Sequence, residues 1–125
     1  RPFCSLEDEV RSSVTVRGAF SASHLVPGDA VCGRQHGHTW SASVTADVQL
    51  GSGKRIEYSG LQAALLRVLS ELDHKDLNVM LPGTPPTLEG VASLLRERLL
   101  SDFPRVTEVV VAHEDVSVRL EWDLR

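Results

Sequence analysis

The sequence predicts an α+β domain, with two helices packed on one face of a four-stranded antiparallel sheet. Three observations carry that expectation. Strict apolar–polar alternation runs twice near the start of the chain, over 14–24 and 40–50. Two stretches with helical apolar spacing follow, separated by a proline-rich loop. Alternation then returns twice before the end.

In the first strand Val14, Val16, Phe20, Ala22 and His24 share one parity, with Thr15, Arg17, Ser21 and Ser23 on the other. Residues 1–10 before it show no period and read as a flexible arm. Pro27-Gly28-Asp29 is a turn. The second strand places Trp40, Ala42, Val44, Ala46, Val48 and Leu50 on one face. After the turn Gly51-Ser52-Gly53, Ser59 and Gln62 read as a capping box, with Ser59 as N-cap of a helix from Gly60 to about Leu72. Leu61, Leu65, Val68 or Leu69, and Leu72 form its apolar stripe. Asp73-His74-Lys75-Asp76-Leu77-Asn78 closes the helix, and Leu81-Pro82-Gly83-Thr84-Pro85-Pro86 is too rich in proline for another. Thr87 caps the second helix, whose stripe is Val91, Leu94, Leu95 and Leu99, and Glu89 suits its positive N-terminal end. Val106–Ala112 and Val116–Trp122 are the last two strands, joined by a short turn holding His113, Glu114 and Asp115.

The 125 residues make one domain, 1–125, long enough for a real core. A net charge of −4 argues against a broad nucleic-acid surface, and no apolar run approaches the roughly 20 residues of a membrane span. No nucleic-acid or membrane partner and a cytoplasmic location are expected. Cys4 and Cys32 are not read as a disulfide, because Cys32 sits among metal-ligand candidates and nothing marks the chain as secreted.

The chemistry centres on Cys32-Gly33-Arg34-Gln35-His36-Gly37-His38. On a strand, His36 and His38 point to one face. His24 ends the preceding strand on its apolar face, so three imidazoles converge, the nitrogen set typical of catalytic zinc. Iron or nickel would suit the same ligands. Cys32 is either a fourth ligand or a thiol whose pKa the metal and Arg34 lower. Arg34 also places positive charge where an anionic substrate could be held. Asp73-His74 is a carboxylate–imidazole couple suited to proton transfer, or else a helix cap. Glu114 shares parity with Val110 and Ala112, so its carboxylate is expected to face inward and to need donors, such as a guanidine-like edge of a heterocycle. Trp40 and Trp122 read as core or interface.

Together these motifs resemble the 6-pyruvoyltetrahydropterin synthase / 6-carboxytetrahydropterin synthase family. Phe20-Ser21-Ala22-Ser23-His24, the Cys32–His38 motif, Leu72-Asp73-His74-Lys75-Asp76-Leu77-Asn78, Pro86-Thr87-Leu88-Glu89 and His113-Glu114 carry the resemblance, in order, along almost the whole chain. It implies the tunnelling fold (ββααββ), in which trimers close their sheets into a barrel and two trimers stack into a homohexamer. It implies zinc on His24, His36 and His38, a catalytic thiol at Cys32, a second proton-transfer couple in Asp73 and His74, and a pterin-anchoring Glu114. Cys32 stands four residues before His36, which resembles the 6-carboxytetrahydropterin synthases of 7-deazaguanine (queuosine) biosynthesis. The implied reaction takes 7,8-dihydroneopterin triphosphate to 6-carboxytetrahydropterin, acetaldehyde and triphosphate. The alternatives are a pyruvoyl-type synthase, which eliminates triphosphate without cleaving the carbon chain, and a non-catalytic zinc- and pterin-binding paralogue. The stretch Gly53-Lys54-Arg55-Ile56-Glu57-Tyr58 departs from the family pattern at Arg55 and Glu57, and Asp115 follows Glu114 where threonine is common.

Overall fold

The structure is a computed structural model that describes residues 12–26, 36–48 and 58–124. The expected arm at 1–10, the turns at Pro27-Gly28-Asp29 and Gly51-Ser52-Gly53, Cys32, Arg34 and the departures at Arg55 and Glu57 lie outside the described residues.

Strand β1 is Ser12–His24 and β2 is His36–Val48. Helix α1 is Tyr58–Leu72, strand β3 is Lys75–Asp76 and helix α2 is Leu77–Met80. Helix α3 is Leu88–Leu100, followed by β4, Val106–His113, and β5, Val116–Glu121. The sheet order is β3-β1-β2-β4-β5. The expected α+β class holds, with two corrections. A fifth strand, β3, pairs parallel with β1, so the sheet is not wholly antiparallel. A one-turn helix, α2, stands between the two long ones. Both are too short to leave a period in the sequence.

The alternation of β1 and β2 does what its pattern requires. Val16, Phe20, Ala22 and His24 are buried from β1, and Trp40, Ala42, Val44 and Ala46 from β2. The two strands pair antiparallel from Ser12↔Val48 to His24↔His36. Helix α1 lays Leu61, Leu65, Val68, Leu69 and Leu72 on this face. Each such burial contributes about 1.5–3 kcal/mol, which outweighs the marginal stability of an isolated helix of this length. Gly18 lets α1 approach closely, since a Cβ there would stand 2.7 Å from Leu69 Cδ1. The helix begins at Tyr58, so Ser59 lies in its first turn and is not the N-cap expected from the sequence. Thr87 does cap α3: its side chain accepts a hydrogen bond from the Gly90 N–H at 3.1 Å.

Two features of the fold position the site. The segment after α1 is stitched to the end of β1. Asp73 Oδ1 accepts from the Ser21 N–H at 2.8 Å, and Lys75 and Asp76 pair with Ala22 and Ser23. Asn78 then holds Leu25 through both backbone groups, at 2.8 and 2.9 Å. The second feature is an irregularity between β2 and β4. The register passes from Thr45↔Glu108 to Ala46↔Val106, skipping one residue on β4. A one-residue bulge reverses which parity faces the core.

Candidate active site

His24 and His36 are direct partners across the β1–β2 ladder, and His38 is two residues along. All three lie on the strand parity of the buried face. His24 is 2% exposed, and His38 has an 8% exposed side chain. The ring centroid of His36 is 4.5 Å from those of both His24 and His38. The three rings expected on one face therefore adjoin one another.

A fourth imidazole, from β4, joins them. Among the described residues, His24, His38 and His113 each offer a ligand atom, and these atoms all lie within 4.8 Å of one another. His113 stacks on His38, with centroids 4.1 Å apart and planes at 2°, and sits edge-on to Trp40 at 4.6 Å. The sequence reading missed it through the bulge. Val106, Val109 and Val111 are buried, so the inward parity of β4 beyond the bulge continues to His113. Glu114, expected to face inward with Val110 and Ala112, instead opens the two-residue turn to β5 with a φ of 52° and a side chain 70% exposed. Its Oε1 still lies 2.8 Å from His38 Nδ1, the contact of an ion pair.

The electrostatics suit a cation. Nδ1 of His24 donates to the buried Pro86 carbonyl at 2.7 Å. His24 Nε2, His38 Nε2 and His113 Nδ1 are buried without a hydrogen-bond partner. Burial pushes the pKa of His24, His38 and His113 below the usual histidine range, and neighbouring imidazoles add to the effect. Neutral rings with inward lone pairs are the ligand form of histidine, so these residues fit a divalent metal of borderline softness.

Asp73 and His74 form the second constellation. His74 Nδ1 is 3.0 Å from Asp73 Oδ2, and the His74 backbone takes a left-handed φ of 59° as the chain turns from α1 into β3. The hydrogen bond from the Ser21 backbone, then the His74 ring, holds the Asp73 carboxyl below the usual carboxylate range. Asp73 is therefore an ionised partner for its imidazole. An open groove of about 700 Å³ is lined by His74, Lys75 and Asp76 and by the ends of β1 and β2, where Ser21, Ser23, Gly37 and Thr39 have the strand parity facing away from the imidazole cluster. Trp40 is fully buried against Phe20, as a core residue should be, and Trp122 packs under Arg96.

A family model described as 6-pyruvoyl tetrahydropterin synthase matches residues 13–121. A Pyrococcus furiosus protein named dihydroneopterin monophosphate aldolase is 26% identical over 117 residues, covering 90% of this chain and 100% of its own. An Archaeoglobus fulgidus protein, provisionally named a 6-carboxy-5,6,7,8-tetrahydropterin synthase, is 26% identical over 111 residues, covering 88% and 93%. The structure of Caenorhabditis elegans 6-pyruvoyl tetrahydropterin synthase superposes with a TM-score of 0.78 at 20% identity, covering 91% of this chain and 97% of that one. That of the Plasmodium falciparum synthase gives 0.69 at 14%, covering 90% and 99%. The two structures share the fold seen here, the family model reaches from β1 to β5, and the chain is a member of the 6-pyruvoyl tetrahydropterin synthase family.

Proposed function

We propose that the protein is a zinc-dependent 6-carboxy-5,6,7,8-tetrahydropterin synthase of 7-deazaguanine biosynthesis. It would convert 7,8-dihydroneopterin triphosphate and water to 6-carboxytetrahydropterin, acetaldehyde and triphosphate. The observation that carries the reading is the cluster of buried, metal-competent imidazoles in a chain that also holds a carboxylate-backed imidazole, the Asp73–His74 couple. A binding protein has no need of the proton couple.

In this reading His24, His36 and His38 hold zinc. Zinc, when bound, polarises the side-chain oxygens of the substrate and acidifies the neighbouring C–H bonds. Cys32, four residues before His36, takes a proton as thiolate. Asp73 fixes the His74 ring through Nδ1, leaving Nε2 to exchange a proton with the substrate side chain. Glu114 receives the guanidine-like edge of the pterin, and its exposure in the single chain suits a pocket completed by a neighbouring subunit. Arg34 pairs with the triphosphate. The protein acts as a cytoplasmic homohexamer, two stacked trimers with their sheets closed into a barrel.

A second reading has a specific support. The Pyrococcus furiosus relative that this chain matches end to end is named an aldolase acting on dihydroneopterin monophosphate. The same residues could cleave the side chain of a monophosphate by a retro-aldol step, which begins by removing a proton from a side-chain hydroxyl instead of from carbon. The experiment incubates zinc-loaded protein with the triphosphate and, separately, the monophosphate, and follows products by mass spectrometry, with Cys32→Ala as control. Carboxypterin with acetaldehyde, lost in the variant, supports the main reading. Pyruvoyl product without acetaldehyde moves the protein to the pyruvoyl-type synthases. A hydroxymethylpterin from the monophosphate alone makes it an aldolase, and no turnover with zinc bound makes it a non-catalytic paralogue.

A further inference from the structure

We propose that His113 is a ligand of the same metal, so that the centre draws nitrogens from three strands, β1, β2 and β4. The inference rests on the metal-binding reading above and goes beyond it, since neither the sequence motif nor the family resemblance assigns His113 a role.

Three observations carry it. His24, His38 and His113 are the described residues whose ligand atoms all fall within 4.8 Å of one another. Nδ1 of His113, Nε2 of His24 and Nε2 of His38 are buried without a hydrogen-bond partner. Buried polar nitrogens are almost always satisfied, and three unpartnered ones on residues whose ligand atoms lie this close fit a cation's place. Finally, the ring is held there. His113 is the register partner of Trp40, lies edge-on to the indole, and stacks on His38. Tetrahedral zinc, with bonds of about 2.0–2.1 Å, sets its nitrogens about 3.3 Å apart. Small side-chain rotations would draw the three rings to that distance, opening the parallel stack of His38 and His113.

The consequence is chemical. The ring of His36 adjoins those of His24 and His38, so with His113 the centre has four imidazoles to draw on. Four protein nitrogens bind a metal more tightly than three. They also offer the substrate a place only when one imidazole leaves or the metal takes a fifth ligand.

The test uses the full chain carrying Cys4→Ser and Cys32→Ser, which removes the native thiols. His113→Ala in this background is expected to raise the zinc dissociation constant, read by chelator competition, by at least about tenfold. His113→Cys loaded with Co2+ is expected to gain a near-ultraviolet sulfur-to-cobalt charge-transfer band absent from its parent. The cysteine variant decides alone if the alanine variant does not fold. Unchanged zinc affinity in His113→Ala together with no new band in His113→Cys would overturn the proposal and leave His113 a packing residue of Trp40 and His38. A parent that binds neither metal would defeat the metal reading itself and His113 with it. A metal-replete parent with insensitive variants defeats only the role of His113.

Discussion

Nδ1 of His24 lies 2.7 Å from the carbonyl oxygen of Pro86. A carbonyl can only accept, so the proton sits on Nδ1, and Nε2 presents a lone pair to the centre of the imidazole cluster. The loop before α3 thereby sets the tautomer of a candidate ligand, the arrangement by which outer partners orient metal-binding histidines.

Gly90 is where that loop meets its helix, and it tests the link. A Cβ there would stand 1.9 Å from the Pro85 carbonyl oxygen, a backbone atom that cannot yield without moving Pro86. At Gly18 the nearest atoms are the movable ends of Leu69 and Leu66, at 2.7 and 3.0 Å. Gly90→Ala is expected to cost about 3 kcal/mol in urea unfolding and to weaken zinc binding about tenfold. Gly18→Ala should cost about 1 kcal/mol and leave zinc binding intact. Equal zinc affinities in the two variants would disconnect the loop from the centre.

Much of this was legible in the sequence, for reasons that also explain the rest. The period of β1 and β2 is long and uninterrupted, so the strand ends carrying His24, His36 and His38 could be placed on one face before any coordinates. The Thr87 cap and the Asp73–His74 couple are local signals and needed no tertiary information. Strand β3 pairs over two residues and α2 makes one turn, and neither length supports a period. On β4 the parity counted toward Glu114 was the wrong one beyond the bulge. The skipped residue is Thr107, and the three successive valines 109–111 beyond it do not say which parity faces inward, so His113 stayed hidden until the register with β2 was known.

Asn78 ties the residue after His24 to the chain beyond β3. Its side chain bonds both the N–H and the C=O of Leu25. Replacing it by alanine removes both bonds at an exposed site, at an expected cost of about 1–2 kcal/mol in urea unfolding. Because Leu25 adjoins His24, the same variant should lose zinc to a chelator several-fold faster than the parent. Asn78→Asp keeps one acceptor and should recover only the Leu25 N–H bond, giving an intermediate value in both assays. A full loss of stability with unchanged zinc release would confine Asn78 to the fold.

Asp73 should matter to turnover without mattering to the metal. Asp73→Asn keeps an oxygen for the Ser21 N–H and removes the charge beside His74. The variant is expected to lose about 10²–10⁴ in kcat with its zinc content unchanged. Its folded pKa lies below the unfolded value, chiefly through the Ser21 hydrogen bond. The carboxylate therefore contributes stability that is present above about pH 4 and is lost as pH falls through the lower, folded value. Urea midpoints between pH 2 and pH 5 should fall less steeply in Asp73→Asn than in the parent. Identical slopes would remove Asp73 from the acid response.

The imidazole cluster makes a prediction of the same sign in the neutral range. In the metal-free chain His24, His38 and His113 all have folded pKa values below 6.5, with burial the leading cause for each. Between 6.5 and those lower values the unfolded chain binds protons that the folded chain refuses. Stability is therefore complete above about pH 7 and is lost as pH falls through 6.5 toward the folded values. Each proton contributes a slope of about 1.4 kcal/mol per pH unit while it remains differential. Chelator-treated protein should show urea midpoints that drop steadily from pH 7.5 to pH 5.5. Zinc should raise the midpoint at pH 7.5 and lose that effect over the same interval, because protons and metal compete for the same lone pairs. Replacing His113 by asparagine removes one titrating ring and should flatten the metal-free slope. Midpoints independent of pH would mean that the cluster titrates alike in the folded and unfolded chains, and that its burial does not survive in solution without the metal.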